Sequence, residues 1–236
     1  MKTQVAWNFR LSRTELQVSP QRGETLDVGG AEWLQRMRSD LLLPLDYDPE
    51  KAHSKKLALC YDITGLTALK RRLSKVWTQE SYYTVLEGIE RVCLECASGT
   101  RLIERILFDI EHVYLTEQDE PRFAYVPLEG VAYDASKNSP LLVLAALASR
   151  RMRFDSAAGM TNAANLRQWV LTKQVFSPND LRAFLDHEFA SLRRPQQVDP
   201  MSAWGKPEKP SEQQIAYLDS LFSSFGESAG DAGTEG

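Results

Sequence analysis

Aspartate, glutamate and histidine meet within four residues at Asp109, Glu111 and His112, in the stretch RILFDIEHVYL. An Asp and a His three positions apart could exchange a proton in a hydrolytic site, and with Glu111 they could offer a metal ion oxygen and nitrogen ligands. A metal-dependent hydrolase built on Asp109 and His112 is therefore one reading of this loop. Against it, no G-x-S-x-G or other activated nucleophile accompanies the pair, and the neighbours Phe108, Ile110, Val113 and Tyr114 are packing residues. A loop aspartate of this kind more often caps nearby backbone N–H groups.

Two other groupings carry reactive residue types. Cys93 and Cys96 form a C-x-x-C, but zinc would need further ligands from Cys60 and the scattered His53, His112 and His187. A redox pair should open a helix, whereas these cysteines fall late in a helical pattern, beside Ile89 and Val92. Their expected role is that of two small buried apolar side chains. Lys70, Arg71 and Arg72 could receive a phosphate; a solvated helix face is the simpler expectation. No metal and no cofactor is implied by these residues.

The hydrophobic pattern supplies the elements that must hold them. VAWNF (5–9) and LQV (16–18) read as strands, with RGE (22–24) as a turn, and AEWLQRMR after Gly29 and Gly30 has helical spacing. LLLPLDY (41–47) and KLALCYDI (56–63) read as an antiparallel pair, the second apolar on both faces apart from Asp62, as in an interior strand. Thr64 and Gly65 break the chain, and LTALKRRL starts a helix. Thr78 then caps a long central helix in which Val85, Leu86, Ile89, Val92, Cys93 and Cys96 recur at intervals of three and four.

HVYL (112–115) and RFAYVP (122–127) form a hairpin around TEQDEP, and LLVLAALA is apolar enough to demand burial as a helix. NAANLRQWVLTKQV supplies another helix. Ser177, Pro178 and Asp180 open the last one of the domain, which packs through Leu181, Phe184, Leu185 and Phe189.

From Arg193 the composition changes. Residues 193–210 are proline-rich and read as an extended linker, and residues 226–236 form an acidic, glycine-rich tail expected to be disordered. Between them, residues 211–225 place Ile215, Leu218, Leu221, Phe222 and Phe225 on one helical stripe behind a capping Ser211. Those five residues are the candidate partner-binding surface, docking either on another protein or on the domain itself. With 43% hydrophobic and 25% charged residues and a formal net charge of −4, the chain can bury a core but has no basic footprint for nucleic acid. The longest apolar run, PLLVLAALA (140–148), falls far short of a membrane span, and a cytoplasmic location without signal peptide or disulfide framework is expected.

The order of strands, a helix, a strand pair, a long helix, a hairpin and a helical remainder follows the layout of a protein kinase. LALCYDITGLTALKRRL, the long helix, RILFDIEHVYL and RFAYVPLEG together resemble the N-terminal domain of unknown function of bacterial forkhead-associated (FHA) domain proteins. More distantly, the chain is similar to the pseudokinase-like cytosolic domain of type VII secretion EssB proteins. The resemblance covers about residues 5–190. It implies an α+β, protein-kinase-like two-lobe fold over residues 1–192, with a β-rich lobe at 1–63 and a helical lobe at 64–192. It also implies a non-catalytic scaffold or adaptor that binds FHA-domain or secretion components, with the FHA reader lost or on another polypeptide.

Phosphoryl transfer works by positioning and charge, so its groups can be sought one by one. No glycine occurs before Gly23, no G-x-G-x-x-G occurs anywhere, and no V-A-I-K-like strand precedes Glu32. The resemblance lays Leu107 where the base Asp belongs, Asp109 at the loop's usual Lys and His112 at the metal-binding Asn; a slip of one or two residues brings Asp109 closer to the base position, yet no slip supplies the second metal ligand. It lays Val126 and Pro127 on the Asp and Phe of D-F-G. The expectation is a chain that is not an enzyme.

Overall fold

A computed structural model describes residues 1–37, 39–52, 54, 56–98, 102–131 and 137–192. The linker, the 211–225 stripe, the acidic tail and His53 all lie outside the described residues. The fold is α+β. In chain order it runs β1 (Lys2–Asn8), β2 (Arg13–Ser19), β3 (Thr25–Leu26), α1 (Val28–Arg36), β4 (Leu45–Asp46), β5 (Leu59–Asp62), β6 (Thr67–Ala68), α2 (Leu69–Arg72), β7 (Val76–Trp77) and α3 (Gln79–Ser98). It continues through β8 (Val113–Leu115), β9 (Pro121–Phe123), β10 (Leu128–Glu129), α4 (Pro140–Leu147), β11 (Arg153–Phe154), α5 (Ala157–Leu171) and α6 (Pro178–Glu188).

The chain forms two compact, interleaved units. Among the described residues, the first comprises Met1–Arg72 with Arg91–Ser139, and the second comprises Leu73–Glu90 with residues 140–192. The expected boundary near Asp62–Gly65 falls inside the first unit. The turn itself is as read: Thr64 N–H donates to the Asp62 carboxylate at 2.9 Å, and Gly65 takes a φ of 75° that suits glycine. Past that turn, however, Thr67 and Ala68 pair with Leu115 and Tyr114, tying the chain back into the same unit.

In the first unit, four antiparallel strands lie in the order β1-β2-β5-β4. β5 is interior, as its sequence suggested, but only one of its faces is buried: Leu59 and Tyr61 are covered, whereas Cys60 and Asp62 are partly exposed. A second sheet, β6-β8-β9, carries the expected hairpin, with Asp119 at a φ of 60° in its charged turn. The helix expected at LTALKRRL is cut to the single turn α2. Its first residues are claimed by the β6 ladder, and three consecutive cations leave Leu69 as its only buried side chain.

The second unit gathers the first part of α3 with α4, α5, α6 and the parallel pair β7·β11. Tyr82 organises it, with ring contacts to Trp77, Phe154 and Phe189 and a hydroxyl that donates to the Leu147 carbonyl at 3.1 Å. Gly159 lets α5 approach β11 closely, since a Cβ there would sit 2.6 Å from the Phe154 ring. The caps fall where the sequence placed or permitted them: Thr78 accepts from Ser81 N–H, Ser156 from Gly159 N–H and Ser177 from Asp180 N–H. Buried Asn162 joins three helices by accepting from Gln79 and donating to the Glu188 carbonyl.

Candidate functional site

The two segments that the kinase resemblance would make catalytic lie side by side in the first unit. Leu107 N–H donates to the Ala124 carbonyl at 3.0 Å, Val126 N–H donates to the Arg105 carbonyl at 2.8 Å, and Ile106 bridges Tyr125. The chain therefore brings the two segments together, and fills both key positions with hydrocarbon. Leu107 is 3% exposed and Val126 is fully buried. Neither can accept a proton or hold a metal ion, and the surrounding Ile106, Phe108, Phe123 and Tyr125 are buried as well.

Three residues that periodicity could not pick out hold this pairing. Asn138 accepts from Phe108 N–H at 2.7 Å and donates to the carbonyls of Glu104 and Ile106, both at 2.9 Å. Asp27 caps α1 through Gly30 N–H at 2.9 Å and pairs with the Arg105 guanidinium. Tyr61, on β5, donates its hydroxyl to the Tyr125 carbonyl at 2.6 Å. Charges near the pairing are thus spent on each other and on helix ends. Glu32, the helix glutamate that a kinase would pair with its strand lysine, is exposed and bonded instead to Arg36 one turn on.

The Asp109–His112 loop is built as a turn. Its carboxylate accepts from Glu111 N–H at 2.8 Å and lies 3.5 Å from the His112 ring nitrogen, while the Asp109 carbonyl accepts from His112 and Val113 N–H. Burial pushes the Asp109 carboxyl up, but the bonds from His112 and Glu111 N–H outweigh it and hold the group below its usual range. Glu111 is drawn to Lys70 at 2.7 Å, and Arg72 grips Asp119 through two bonds of 2.7 and 2.9 Å. Two members of the basic cluster thus have carboxylate partners. Among the described residues no three His, Cys, Asp or Glu side chains gather as a metal site.

Cys93 and Cys96 are fully buried on α3, as their spacing suggested, and no disulfide joins the three cysteines. Burial, with the nearby charges of Glu15 and Asp46, pushes the Cys60 thiol up to about 11, so it is a poor nucleophile. The five candidate partner-binding residues, Ile215, Leu218, Leu221, Phe222 and Phe225, lie outside the described residues. No family model matches the sequence, and no curated protein does. Among solved structures the chain is similar to the apo GRMZM2G135359 pseudokinase, at 11% identity and a TM-score of 0.43, over 94% of this chain and 87% of that one. It is also similar to a mutant of the Neurospora crassa PAN3 pseudokinase, at 10% identity and a TM-score of 0.39, over 95% of this chain and 57% of that one. The chain thus spans little more than half the length of the PAN3 chain.

One surface was missed by the strand reading. On β1 and its turn, Val5, Trp7, Phe9 and Leu11 are 59%, 51%, 87% and 53% exposed. Val5 stands opposite Leu16, which is fully buried, so the face that forms the core at β2 runs on uncovered onto β1. β1 is also an edge strand, with no neighbour on its outer side among the described residues. The alternation of VAWNF was legible; that its apolar face overhangs the core was not. No described helix is long and apolar enough to cross a membrane.

Proposed function

We propose that the chain is a non-catalytic, kinase-like scaffold that holds protein partners. The observation that carries the reading is the pairing of residues 105–107 with 124–126, in which the positions a kinase would give to its base and its metal-binding aspartate are the buried Leu107 and Val126. Phosphoryl transfer supplies its rate through charge at those positions, and hydrocarbon there removes both the base and the magnesium ligand. The setting follows the resemblance: FHA-linked signalling or a secretion-associated complex, in the cytoplasm.

The uncovered flank of β1 supports the scaffold reading, because an edge strand with an apolar stripe is suited to receive an extended segment of another protein. Melting with and without ATP and magnesium tests the silent site. A nucleotide that bound only the native state at a hundred times its Kd would add about 2.7 kcal/mol, a rise of roughly 5–11 °C for a chain of this size. No rise is expected. A magnesium-dependent increase would overturn the reading.

A further inference from the structure

In the second unit, α5 and α6 enclose a cleft of 390 Å³. One wall is Asn165, Gln168 and Trp169 of α5 with Thr172 at its C-terminal cap, and the α6 wall is Phe184, His187 and Glu188. Those spacings of three, four and seven residues make each wall one face of one helix, so the cleft is a groove running between two helices. Its floor is aromatic: the Trp169 and Phe184 rings lie 5.5 Å apart, tilted by 43°. Lys173 sits 5.1 Å from the Trp169 ring and is bonded to Asp180, while Asn165 donates to Glu188 at 2.6 Å across the two walls. A groove with an apolar floor and polar rims is the receptor shape for the apolar stripe of a third helix.

We propose that this groove seats the chain's own residues 211–225, docked in cis through Ile215, Leu218, Leu221, Phe222 and Phe225. The occupant is chosen by where the chain goes. Glu188, the last residue of α6, lines the groove, and the described chain ends four residues later at Leu192. A proline-rich linker at 193–210 then leads to the stripe. Eighteen residues reach about 23–25 Å as a flexible coil and further when proline-rich, and a fifteen-residue helix is about 22 Å long, so the linker can lay the stripe back along α5 and α6. Tethering on such a linker gives an effective concentration near millimolar, which favours the chain's own segment over a second copy at ordinary protein concentrations. A segment of this length is marginal as a free helix in water, and the groove supplies the apolar face that would stabilise it.

Hydrogen exchange on the full chain tests the assignment, comparing the wild type with a Leu218→Asp, Phe222→Asp double variant. Slowed exchange is expected within 211–225 of the wild type, independent of protein concentration. The double variant should lose that protection, exchange faster at 165–172 and 184–188, and melt several degrees lower. Thr172→Arg approaches from the groove side and should release 211–225 while residues 79–90 keep their protection. If Thr172→Arg also opens 79–90, Gln168→Arg at the rim is read in its place by the same criterion. Fast exchange of 211–225 in the wild type overturns the proposal, as does protection untouched by both sets of substitutions. Protection that appears only with dimerisation assigns the groove to a second copy and overturns docking in cis.

Discussion

Glu15 shows how one side chain can set the acid limit of the first unit. It is almost fully buried on β2, where its carboxylate accepts from Arg13 at 2.6 Å, Asn8 at 2.9 Å and Gln17 at 3.2 Å. Burial raises its pKa, but the three donors more than compensate and hold it below its ordinary value of 4.5. The folded state therefore binds this proton less readily than the unfolded chain. Its contribution is complete above about pH 4.5 and is lost as the pH falls through the depressed folded value. Melting temperature should decline as pH drops below about 4.5, and Glu15→Gln should flatten that decline while costing about 1.5–3 kcal/mol at neutral pH. An acid limb of equal steepness in both proteins would show that other carboxylates set it.

Hydrogen bonds across long separations act at this scale too, and they escaped sequence reading for a simple reason. Asp27 and Arg105 are far apart in the chain, and nothing in either residue's local pattern marks it as the other's partner. The same holds for Asn138 and for Tyr61 with Tyr125. Asp109 was different. Its capping role rests on its own next few residues, so its type and position were enough to suggest it.

Elements were legible where their signals were local. α6 begins at the Ser-Pro-x-Asp signature, with Ser177 accepting from Asp180 N–H and Pro178 in the first turn. Ser177→Ala removes that acceptor and should lower stability by about 1 kcal/mol, or roughly 2–4 °C in melting temperature. An unchanged melting curve would mean that packing of Leu181, Phe184 and Leu185 alone fixes the start of α6. α3 was equally clear because its apolar residues repeat over twenty residues. α2 was not, because the same residues that look helical in isolation are pulled into a ladder with β8. A strand partner that comes after α3 in the sequence overrides local propensity.

For the whole molecule, composition predicts where the chain opens first. Limited proteolysis should cut between Pro195 and Ser211, in the proline-rich linker, before any site in the packed elements. Early cleavage inside Gln79–Ser98 would contradict the burial of Tyr82, Leu86, Ile89 and Val92 on α3. If residues 211–225 dock as proposed, cuts within that stripe should follow those in the linker, and the Leu218→Asp, Phe222→Asp variant should erase the delay.

The sequence by itself determined what is encoded within a helical turn, a strand's alternation or a capping box. The long helix, the hairpin at 113–123, the apolar α4, the capped starts of α3 and α6 and the burial of the C-x-x-C all belong to that class, because their causes lie within a few residues of their effects. Only the tertiary structure decided the rest. It buried Leu107 and Val126 on two paired segments, paired Asp27 with Arg105, left the core face of β1 uncovered and returned 91–139 to the first unit. Each of those outcomes depends on which distant segment wins a place against the core, and that competition is settled by burial and backbone pairing summed over the whole fold.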